Sequence, residues 1–108
     1  MRDIQEEAKL LAAKIVNYCR PQKIILFGSV ARNEKDNDSD IDFLIVKESE
    51  KKRPFRIKEV FEALRGVERN YPLDVIVYTP SELEKRLFLG DYFIKRILTE
   101  GKVIYGQE

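Results

Sequence analysis

The apolar positions of the chain change period several times, and each change marks an element. Ile4, Ala8, Leu11, Ala12, Ile15 and Val16 recur at helical spacing and predict an amphipathic helix over residues 3–19, ended by Arg20-Pro21. Lys23-Ile24-Ile25-Leu26-Phe27 is a short apolar run bounded by polar punctuation, as is Phe43-Leu44-Ile45-Val46, and both read as buried strands. The second of these is expected to start at Asp40. Between them, Gly28-Ser29 predicts a turn into a short helix through Val30-Ala31-Arg32, with Ser29 as its N-cap. Residues 33–39 are a polar loop of turn formers.

The second half repeats this alternation. Residues 47–53 are a charged loop, and Pro54 suits the first turn of a helix reaching about Arg69, with Ile57, Val60, Phe61 and Leu64 on one face. Asn70-Tyr71-Pro72 breaks it, and Leu73-Asp74-Val75-Ile76-Val77-Tyr78 is the third strand. Pro80-Ser81-Glu82 opens the next helix, with Ser81 as cap and Leu83, Leu87 and Phe88 as its apolar side. Gly90-Asp91 separates it from a last helix over 92–100, which Gly101 closes before a short strand at Val103-Ile104-Tyr105. The expectation is an α/β (α+β) fold, with helices packed on a sheet of about four strands in a single domain spanning 1–108.

Composition narrows the chemistry. A chain of 108 residues with 44% hydrophobic and 36% charged residues supports one continuous core. No apolar run approaches the ~20 residues that cross a bilayer, and no signal-peptide apolar region opens the chain. The single cysteine, Cys19, excludes an internal disulfide and fits a reducing cytoplasm, where a small buried hydrophobe is its expected role. A net charge of +1 lacks the field of a general nucleic-acid binder. The absence of histidine removes Ser-His-Asp and Cys-His pairs and the common zinc sites. Carboxylates are then the available metal ligands, and they favour hard cations such as Mg²⁺ or Mn²⁺.

Three features carry candidate chemistry. Gly28 at a strand end lets backbone approach a phosphate closely, and Ser29 adds a hydroxyl donor. Asp40 and Asp42 are two apart on a strand and share a face, where their carboxylates repel and resist desolvation. Asp74 opens the third strand; if the second and third strands are neighbours, it lies beside Asp42. Each feature taken alone also fits a capped turn or a polar strand start. Together they place three acids opposite a serine-bearing turn, an arrangement suited to two-metal phosphoryl transfer. Lys51-Lys52-Arg53 reads as a solvated loop, and Tyr18, Tyr78, Tyr92 and Tyr105 as core or rim residues.

Gly28-Ser29-Val30-Ala31-Arg32, followed by Ser39-Asp40-Ile41-Asp42 with ten residues between Ser29 and Asp40, resembles the signature of the DNA polymerase β nucleotidyltransferase superfamily. The short chain and its ending Glu100-Gly101-Lys102-Val103-Ile104-Tyr105 resemble the minimal nucleotidyltransferases, many of them antitoxins paired with HEPN-domain toxins. Asn33 departs from the glycine that often follows the motif arginine; asparagine tolerates left-handed backbone, so the departure is mild. The resemblance implies a mixed sheet of the nucleotidyltransferase fold. It implies that Gly28, Ser29 and Arg32 bind the nucleotide and that Asp40, Asp42 and Asp74 hold two Mg²⁺ ions. It also implies transfer of AMP from ATP to a protein hydroxyl, a tyrosine of a HEPN toxin, in a type VII-like toxin–antitoxin pair. The alternatives are an antitoxin acting by binding alone, or a homodimer modifying a small molecule of aminoglycoside type. The small chain leaves little room for an acceptor pocket, so a protein acceptor, in a hetero-oligomer with the chain, is the leading expectation.

Overall fold

The structure is a computed structural model and describes residues 2–32 and 39–107. Helix α1 (Ile4–Cys19) begins with a capping box in which Asp3 accepts from the Glu6 N–H and the Glu6 side chain returns to Asp3. Arg20 ends it in the left-handed region (φ 51°), its N–H donating to Val16 O. Strand β1 (Lys23–Phe27) leads into α2 (Gly28–Ala31), and β2 (Ile41–Val46) follows. Then come α3 (Arg53–Ala63), β3 (Leu73–Tyr78), α4 (Pro80–Phe88), α5 (Tyr92–Glu100) and β4 (Lys102–Tyr105).

The four strands form one mixed sheet in the order β3-β2-β1-β4. β2 runs antiparallel to β1 and parallel to β3, and β4 is antiparallel to β1. Strand alternation sorts the side chains to two covered faces. Ile24, Leu26, Ile41, Phe43, Ile45 and Val77 pack with Leu11, Ile15 and Val60 of α1 and α3. Ile25, Leu44 and Tyr78 pack on the other face with Ile94 and Ile97 of α5. The run Phe43-Leu44-Ile45-Val46 is apolar without alternation because β2 is central and buried on both faces.

The departures from expectation lie at element ends. The second amphipathic helix stops at Ala63 instead of Arg69, because residues 64–66 turn and Gly66 takes φ +80°. β2 begins at Ile41, leaving Asp40 just ahead of it. Ser29 is not a cap: Phe27 occupies the N-cap position and Gly28 is the first helical residue. Thr79, not Ser81, caps α4, accepting from the Glu82 N–H while Glu82 answers the Thr79 N–H. Gly101 is the C-cap of α5, as expected, in extended backbone; it is required there because a Cβ would collide with Ile97 O and Ile25 Cγ2. Of the tyrosines read as core or rim, only Tyr78 is buried, whereas Tyr18, Tyr92 and Tyr105 are exposed. Leu87 and Phe88, expected to be the packed side of α4, are exposed as well.

Candidate active site

The site grows from the parallel pairing of β2 and β3. Their register sets Asp42 directly opposite Asp74, and the antiparallel register with β1 sets Phe27 on Asp42's other side. Asp42 and Asp74 therefore share the sheet face that α5 covers further along, beside Leu44 and Ile76. Asp74 is exposed, Asp42 and Asp40 are half-buried, and the two carboxylates of Asp42 and Asp74 are close enough to share a hydrogen bond. Asp40 acts on Asp42 through its charge.

This crowding shows in the titration of Asp42. Its pKa is pushed up to about 6, first by burial and then by the negative charges of Asp74 and Asp40 and the hydrogen bond with Asp74. Arg32 opposes the shift. A strand-edge carboxylate held this unfavourably is stabilised by a cation.

Gly28 completes the geometry. It has φ +76°, and a Cβ there would collide with Asp42 Oδ2 and stand 3.3 Å from Asp42 Cγ. The backbone at the start of α2 thus lies against the carboxylate, with Ser29 next in the helix and Arg32 at its C-cap. The sequence-predicted residues Gly28, Ser29, Arg32, Asp40, Asp42 and Asp74 gather at one end of the sheet. Asn33, and the polar loop as far as Asp38, lie outside the described residues. Ser39 is buried, and its hydroxyl finds no partner among the described residues.

The donor set tests well for a divalent cation. Every donor is a carboxylate oxygen, as Mg²⁺ and Mn²⁺ require. Among the described residues no three acidic, histidine or cysteine side chains already surround one point. That is compatible with Mg²⁺, which keeps waters and shares its shell with substrate phosphates, so that one or two protein carboxylates suffice.

Other parts of the site have no sequence signal. A cleft of about 250 Å³ opens beside Gly28 and Arg32, walled by Phe27 and by Phe93, Arg96, Ile97 and Glu100 of α5. Phe93 meets Phe27 edge-on at 6.0 Å. Nothing in the periodicity of α5 distinguishes these residues from helix surface. A larger groove, about 650 Å³, lies between α1 and β4, but lysines, aliphatic residues, Asn17 and Tyr105 line it and no carboxylate does. Through Gly28, which also lies against Asp42, the smaller cleft adjoins the acid cluster.

Glu7 was also illegible in the sequence. It is fully buried, and its carboxylate accepts from the Asn70 N–H and Nδ2 (2.9 Å each to the nearer oxygen), the Tyr71 N–H (3.0 Å) and Arg2 Nη2 (3.4 Å). Pro72 O then receives the Ile41 N–H, so the segment held by Glu7 joins the starts of β2 and β3, where Asp42 and Asp74 stand.

The fold is a four-stranded mixed sheet with paired acids against a glycine turn, and comparison gives the family. Residues 12–104 match the model of the nucleotidyltransferase domain, so this chain belongs to the nucleotidyltransferase domain family. A crystal structure assigned as a nucleotidyltransferase from Sulfolobus solfataricus shares its fold, with a TM-score of 0.63, 21% identity, and coverage of 94% of this chain and 79% of that one. A toxin–antitoxin structure with AMP-PNP matches with a TM-score of 0.62 and 17% identity, over 93% of this chain and 74% of that one. No curated protein matches significantly. No helix among the described residues is long and apolar enough to cross a membrane.

Proposed function

We propose that this nucleotidyltransferase moves AMP from ATP to a hydroxyl of a partner protein, a tyrosine of a HEPN-type toxin, and thereby acts as an antitoxin in the cytoplasm. The observation that carries the transfer reaction is the facing pair Asp42 and Asp74 packed against Gly28. The partner assignment is supported by the fold shared with a toxin–antitoxin structure.

Gly28 and Ser29 would receive the β- and γ-phosphates, since a residue without a Cβ lets phosphate reach the first amides of α2. Arg32, at the mouth of the same cleft, would add positive charge to the triphosphate. Asp40, Asp42 and Asp74 would hold two Mg²⁺ ions, which would supply charge stabilisation for the triphosphate and acidify the acceptor hydroxyl. The acceptor oxygen attacks the α-phosphorus, the bond to the β-phosphate oxygen breaks, and pyrophosphate leaves. Asp74, the exposed member of the pair, would help take up the acceptor's proton.

The test is incubation of the chain with α-labelled ATP, Mg²⁺ and the protein encoded beside it, in parallel with an Asp40→Asn/Asp42→Asn variant. Label on the partner with the native chain alone is expected. Equal labelling by both would overturn the assigned acids; a tight complex without label would establish neutralisation by binding alone.

A further inference from the structure

Helices α4 and α5 meet at a corner where the chain leaves its largest side chains in solvent. Phe88 is 90% exposed, Tyr92 85% and Phe93 55%, and Leu87 and Leu89 join them. At ~200 Å² for a whole aromatic side chain, the three rings alone leave about 450 Å² of apolar surface open. Of the side of α4 expected to pack, Leu83 meets the core on the α5 side of the sheet, whereas Leu87 and Phe88 are exposed. A helix that shows its apolar face to water is stable only at a cost, and patches of this size mark interaction sites.

Rest this on the function proposed above, and the occupant follows from where the patch lies. Phe93 belongs both to the exposed corner and to the wall of the cleft beside Gly28 and Arg32. A body seated on the corner therefore reaches the cleft. A second copy of the chain, pairing symmetrically through the same patch, would lay itself across both clefts at once. A protein acceptor requires the opposite, a partner that covers the corner while presenting its own hydroxyl to the site. The area agrees with this. A standard interface takes about 800 Å² from each partner, somewhat over half of it apolar, and the three rings supply that share. The charged residues of the two helices are largely paired within the chain, Arg86 with Asp91 and Arg96 with Glu100, so the apolar rings are what the corner offers a partner.

We infer that the α4–α5 corner, centred on Phe88 and Tyr92, is the docking surface for the acceptor protein, which meets it with an apolar groove. Phe88 and Tyr92 are the anchors, being large, rigid and nearly fully exposed in the unbound chain. Phe93, beside them, links the docked surface to the cleft.

The experiment is co-purification and calorimetric titration of the full chain with the protein encoded beside it, for the native sequence and a Phe88→Glu/Tyr92→Glu variant. Thermal shift with Mg²⁺ and ATP runs alongside. The expected result is affinity weakened by roughly 100-fold or more, loss of label transfer, and an unchanged shift with Mg²⁺ and ATP. A variant that binds and labels like the native chain overturns the docking surface while leaving the function standing. A native chain that dimerises through these residues by light scattering, with the variant monomeric, assigns the corner to a second copy and also overturns the inference. Failure of the native chain to bind or label any such partner overturns the function itself, and the docking surface with it.

Discussion

Gly28 and Asp42 are in contact across the sheet end, with the glycine's Cα so near the carboxylate that a β-carbon would collide with Asp42 Oδ2. The glycine is therefore needed twice, for its φ of +76° and for the space. Gly28→Ala is expected to destabilise the chain by about 1–3 kcal/mol, from left-handed strain and the displaced carboxylate. Transfer should fall further than stability does, because the acid moves with the backbone. Denaturant melts beside single-turnover labelling check both; a fully active, equally stable variant would refute the account.

Asp42 opposes folding at neutral pH. The native state raises the Asp42 pKa from 3.8 to about 6, so it favours the protonated form. The group's unfavourable contribution is absent below pH ~4, grows as pH rises through the folded value, and is complete above about pH 6. Asp42→Asn, an uncharged near-isostere, should then stabilise the metal-free chain at pH 7.5 by about 1 kcal/mol, solvent screening of this half-buried group taken into account, and abolish transfer. At pH 4 the stability difference should vanish, and melting curves at the two pH values decide it.

Cation binding should show the same linkage. Protons compete with Mg²⁺ for Asp42, so added Mg²⁺ with ATP should raise the melting temperature more at pH 7.5 than at pH 5. Equal shifts at both pH values would remove Asp42 from the ligand set.

Glu7 is expected to be a stability residue whose loss is felt at the site. Its carboxylate satisfies the backbone N–H groups of Asn70 and Tyr71 in a fully buried position. Glu7→Ala leaves those donors unpaired and should cost about 3–5 kcal/mol. Glu7→Gln keeps an acceptor and should cost less, and chemical denaturation ranks the two.

Arg56 and Glu82 set the acid limit of the α3–α4 contact. Arg56 Nη1 and Nη2 meet the two Glu82 oxygens at 2.6 and 3.3 Å, and Arg56 Nε also donates to Lys51 O. The Arg56 hydrogen bond, aided by the Thr79 backbone, holds the Glu82 pKa down to about 2 from 4.5. A lowered folded pKa gives stability that is present above the unfolded value and is lost as pH falls from about 4.5 towards 2. Glu82→Gln should therefore flatten the acid limb of the stability profile in that window and lower stability at pH 7.

Much of this protein is local, and the sequence by itself determined that part. The limits of β1, β3 and α5 follow from apolar runs bounded by turn residues, because period and punctuation are properties of neighbouring residues. Gly28, Asp40, Asp42 and Asp74 stand out for the same reason, each being a polar or flexible residue abutting a buried strand. What tertiary structure decided is who faces whom. The parallel register puts Asp74, rather than Val75, opposite Asp42, and a shift of one residue would have sent it to the other face. Glu7 meets Asn70 only after 63 positions of chain have folded back. The exposure of Phe88 and Tyr92 was illegible because a helix's apolar side records that it will be covered, not by which molecule.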